Sequence, residues 1–125
     1  MAVKELWMDK PEEHDYPAAR EYLTLLLSER QAKALVTKLK QAKLVRRKAK
    51  DILRASGLPI LPRDNPHVAH DLKKVRDGKK LSPVLLLRGD LERAIPVTIA
   101  DGYHRVCASW YLDENAPIPC RMVAP

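Results

Sequence analysis

A chain of 125 residues that is 46% hydrophobic and 31% charged has the length and make-up of about one folded domain, which excludes a disordered tail and leaves no room for two comfortable cores. Its net charge of +7 points to an anionic partner: a nucleotide, a phosphorylated small molecule or duplex nucleic acid. Two cysteines, no long apolar run and no Phe speak against a disulfide-stapled secreted module, a membrane span and a base-stacking platform, so the expectation is a cytoplasmic protein with reduced thiols and no membrane partner.

In chain order, the first residues read as an extended arm with a short strand around Val3 to Met8, followed by the acidic lead-in Pro11-Glu12-Glu13-His14-Asp15. Pro17 suits a first helical turn, where its missing N–H costs nothing. Tyr22, Leu23, Leu26 and Leu27 then keep helical spacing to about residue 27. Ser28 stands three residues before Gln31, the spacing of a capping box, and no Gly or Pro follows until Gly57. This predicts a long second helix from about Glu29 to Ser56, with Leu44-Val45 as its weakest point. Ala32, Leu35, Leu39, Ala42, Val45, Ala49, Ile52 and Leu53 would form its buried face.

Residues 33–54 hold nine basic residues and one acidic residue, a local net of +8 that by itself accounts for the excess charge of the chain. On a continuous helix Lys33, Lys40, Lys43, Arg47, Lys50 and Arg54 would share one stripe, a candidate surface for the phosphates of duplex nucleic acid. The same stripe also reads as an ordinary solvated face.

Asn65-Pro66 reads as the start of a shorter helix from His67 to about Asp77, closed by Gly78. His67 and His70 lie three apart on it, too few ligands for a metal site. Pro83 to Arg88 is a short apolar run of buried-strand type, residues 89–93 are a turn, and Ile95 to Ala100 is the next strand. A helix from Gly102 to about Leu112 and a last strand from Ile118 to Val123 complete the outline. The junction Asp101-Gly102-Tyr103-His104-Arg105 is the most chemically loaded stretch. There Asp101 is expected to cap the helix, and free backbone N–H groups, His104 and Arg105 face a potential anion. Cys107 and Cys120 are expected in the core.

The succession Leu72 to Gly78, Leu81 to Leu86, Ile99 to Ala108 and Ala116 to Val123 resembles the ParB/sulfiredoxin superfamily over about residues 67–123. The resemblance implies a small mixed β-sheet of ParB/sulfiredoxin type over these residues; with the helical part (1–60) packed on it, the chain is expected to be a single α+β domain, 1–125. The resemblance also implies nucleotide or phosphate binding at Gly102, Tyr103, His104 and Arg105, with Lys79, Lys80 and Ser82 on the loop that approaches the same pocket. A nucleotide with magnesium is the cofactor the resemblance implies. Phosphoryl-transfer or nuclease-like chemistry would fall to His104 and Asp101. Sulfinic acid reduction is disfavoured, because Tyr103 stands where sulfiredoxins keep their catalytic cysteine.

Overall fold

The computed structural model describes residues 6–125. The strand expected around residues 3–8 falls partly on residues 3–5, which lie outside the described residues. Within them, Trp7 forms one parallel bridge with Leu81. Five helices and four strands follow in the order α1 (Asp15–Leu23), α2 (Glu29–Gln41), β1 (Leu44–Lys48), α3 (Ala49–Ser56), α4 (Pro66–Arg76), β2 (Val84–Leu87), β3 (Thr98–Asp101), α5 (Tyr103–Asp113) and β4 (Pro117–Val123). The fold is α+β around one mixed sheet of order β1-β4-β2-β3. β4 runs parallel to β2, and both outer pairs, β1/β4 and β2/β3, are antiparallel.

Helices cover both faces of the sheet, and this explains why β2 is apolar at every position. Val84 and Leu86 join a core with Ile52, Val68, Val106 and Ile118, on the side of α3, α4 and α5. Leu85 and Leu87 join the opposite core with Tyr16, Leu23, Leu35 and Leu39, on the side of α1 and α2. A strand covered on both sides shows no alternation of polar and apolar residues. Cys107 and Cys120 both lie fully buried in the first core as free thiols. Burial pushes both thiols above their usual value, Cys120 to about 11.

Several helix ends follow local chemistry. Ser28 and Gln31 form both halves of the capping box, and Asn65 accepts from the His67 and Val68 N–H groups with Pro66 in the first turn. Gly57 ends α3 in the left-handed region. The continuous helix expected over 29–56 does not form. Ala42 turns extended, at φ −73° and ψ 148°, and residues 44–48 become the edge strand β1. The cause is tertiary: β1 pairs with β4 from Leu44↔Arg121 to Lys48↔Pro117. This pairing overrides the good helix propensity of the Lys/Arg run. In β4, Pro117 and Pro119 precede the parallel ladder to β2, which begins at Cys120, so their missing N–H groups interrupt no bond of that ladder. The strand expected over 95–100 is likewise shorter, because Ile95 is taken up in an isolated bridge with Asp90. Among the described residues, no helix is long and apolar enough to cross a membrane.

Candidate functional site

At the end of β3 the chain turns through Gly102, at φ 111°, into α5. A β-carbon there would run into Val84 Cγ1 and lie 2.8 Å from both Val84 Cβ and Arg105 Nη2, so only glycine fits. No side chain caps α5. Asp101, expected as the cap, instead accepts from Arg105 Nη2 at 2.7 Å. The amides of the first turn therefore keep their donors turned to the space above the helix.

That space is a cleft of about 270 Å³. The lead-in and α1 bring Glu12, His14 and Asp15 to its wall, and α4 brings His67, His70, Asp71 and Lys74. Ser82 precedes β2, and Asp101, Gly102, His104 and Arg105 form the corner itself. All four histidines of the chain thus line one cleft. The imidazoles of His67 and His104 lie 4.6 Å apart, centre to centre, across the α4–α5 contact.

Beneath the cleft sits a buried charge cluster. Asp15 Oδ2 accepts from Ser82 Oγ at 2.7 Å, from the Glu12 N–H at 3.1 Å and from Arg105 Nη1 at 3.3 Å. Arg105 Nη1 also donates to Ser82 Oγ. The guanidinium is thus shared between Asp15 and Asp101 and is committed within the protein. Burial raises Asp101 to about 6 despite Arg105 beside it, with Asp15 adding to the rise. Burial lowers His104 from its ordinary value and His67 lowers it further, while Asp71 opposes them. Asp71 is itself raised by burial, against the pull of Arg105 and Lys74. With neutral imidazoles, four carboxylates face one ammonium and one guanidinium, so the lining of a basic protein is locally acidic.

The expected site residues divide. Gly102, His104, Arg105 and Ser82 come together in the cleft. Tyr103 does not line it: its ring packs on the core and its hydroxyl donates to the Pro59 carbonyl at 2.5 Å. Lys79 and Lys80 are exposed and stand apart from the lining, where the ammonium is that of Lys74. Among the described residues, no group of three or more His, Cys, Asp or Glu side chains is arranged to hold a metal ion. His14, Asp15 and Lys74 were not among the expected site residues; Asp15, the first residue of the first helix, was the one local signal.

The basic stripe is not one face. Lys33 and Lys40 lie on α2 beside a groove against α1, with Lys40 over the Tyr16 ring. Lys43 and Arg47 are exposed in and before the edge strand β1. Lys50 and Arg54 flank Asp51 on α3, each 3.7 Å from its carboxylate. Compared with known protein families, curated proteins and solved structures, the chain matches none of them.

Proposed function

We propose that the protein binds a phosphate-bearing ligand, with a nucleotide as the leading class, in the cleft above the N-terminus of α5. The observation that carries this reading is the strand–Gly102–helix corner, an eleven-residue helix that no side chain caps, opening into a cleft beside Lys74, His67 and His104. Unsatisfied amides and the positive end of a helix dipole favour an anion, and a cation on the facing helix adds to them. The similarity of residues 67–123 to the ParB/sulfiredoxin superfamily points the same way. Within this reading Arg105 acts as the strut of the corner, because Asp15 and Asp101 hold it from inside. A magnesium ion would enter with the ligand's phosphates, as small hard cations commonly do.

Calorimetric titration with ATP, ADP, CTP and GTP, with and without magnesium, tests the proposal. Binding by the wild type that weakens in both Lys74→Ala and His104→Ala supports it. Negligible heat for every nucleotide at every condition would remove it.

A second surface has its own support. Lys43, Arg46 and Lys48 are exposed around the edge strand β1, and among the described residues they form no ion pair. We infer that contact with duplex phosphates runs along this edge, and a mobility shift at rising salt with Arg46→Ala/Lys48→Ala tests it.

A further inference from the structure

We propose that the cleft takes its anion together with protons, so that acid switches the site on as its histidines become imidazolium. This rests on the cleft being a phosphate site and adds how that site is regulated. The starting point is a conflict of charge. A helix N-terminus attracts a dianion, yet at neutral pH the carboxylates of Glu12, Asp15, Asp71 and Asp101 outnumber the cations Lys74 and Arg105 by two. An incoming phosphate meets a lining that repels it.

The histidines resolve the conflict. They reach the cleft from three separate elements, and no histidine lies elsewhere in the chain. His14 stands at the start of α1, 3.5 Å from carboxylate oxygens of both Glu12 and Asp15. His67 and His70 come from α4 with Asp71 and Lys74, and His104 from α5 beside Arg105. Charging all four imidazoles while the four carboxylates stay ionised turns the surplus of two negative groups into a surplus of two positive ones. Because burial and His67 hold His104 below its ordinary value, its charge arrives on the acid side.

The geometry also couples the two events. His67 and His104 are 4.6 Å apart, so charging both sets two imidazoliums against each other, and an anion between α4 and α5 offsets that repulsion. By linkage, a ligand that favours the protonated pair raises proton affinity by the same factor that protons raise ligand affinity. Asp15 and Asp101 hold Arg105 beneath this exchange, and Asp101, raised to about 6, takes up a proton in the same range and so adds to the gain of positive charge.

Sulfate is the decisive probe, because it remains a dianion throughout the range in which phosphate itself takes up a proton. Titration of the full chain should give sulfate affinity at least about tenfold tighter near pH 5.5 than near pH 8, with net proton uptake read from buffers of different ionisation enthalpy. Inorganic phosphate should show proton uptake as well. In His67→Gln/His104→Gln, with folding checked by thermal melting at each pH, the sulfate ratio should fall to about threefold or less. Equal sulfate affinity at both pH values, or a ratio unchanged in the double variant, overturns the switch. Nucleotide binding at pH 8 without proton uptake overturns the switch and leaves the phosphate site standing. Absence of binding by sulfate, phosphate and every nucleotide at both pH values overturns both.

Discussion

Arg105 Nη1 lies 3.3 Å from Asp15 Oδ2, across 90 positions of chain, with the guanidinium 13% and the carboxylate 5% exposed. The pair ties α1 to α5 over the end of β3, which is why the start of α1 forms a wall of the cleft.

Asp15→Asn should destabilise the protein by about 3 kcal/mol, because it leaves a buried guanidinium short of a partner. Urea denaturation measures the loss. Arg105→Met alone should cost a similar amount, and the double variant less than the sum of the two. A loss below about 1 kcal/mol for Asp15→Asn would mean that the pair is well replaced by water.

Asp101 makes a pH prediction with a definite sign. Its carboxyl titrates at about 6 in the folded protein, above its ordinary 3.8, so the folded chain holds this proton more tightly than the unfolded one. The resulting stabilisation is fully present below about pH 4 and is lost as pH rises to about 6. Asp101→Asn stays neutral throughout. Its stability relative to wild type should therefore rise across that window in urea denaturation series, and a constant or falling difference would contradict the assignment.

Gly102→Ala combines a positive φ with a collision against Val84 and should cost about 3 kcal/mol or more. The loss should appear in thermal melting together with weaker nucleotide binding, since α5 can no longer start in place. Gly57, also at positive φ but with open space around it, provides the contrast: Gly57→Ala should cost about 1 kcal/mol.

Lys74→Ala should weaken nucleotide affinity by about tenfold while changing stability by less than about 0.5 kcal/mol, because the ammonium belongs to the cleft wall and not to the core. Lys79→Ala and Lys80→Ala should leave affinity unchanged. The reverse ranking in calorimetric titration would return the ligand to the loop before β2.

Cys107 and Cys120 should resist a thiol reagent in the native protein and both react on unfolding, because burial closes access and holds the thiols protonated. Rapid modification of either in the folded state would show that the core opens locally.

Much of this protein is set by interactions within a few residues, and those were legible in the sequence. The Ser28/Gln31 box, Asn65-Pro66, the stop at Gly57, the buried apolar run of β2 and the strand-to-helix corner at Gly102 each rest on a local hydrogen bond, a dihedral preference or a short apolar pattern. What the chain does at longer range was decided by the sheet. Residues 44–48 carry a helical pattern and became a strand because the edge of β4 was open to pair. That change broke the basic stripe and set α2 and α3 on opposite faces. Asp15 met Arg105, and His14 from the lead-in to α1 met His67, His70 and His104 in one cleft, only after α1, α4 and α5 had packed. Such meetings depend on how whole elements share two cores, and no local spacing along the chain encodes them.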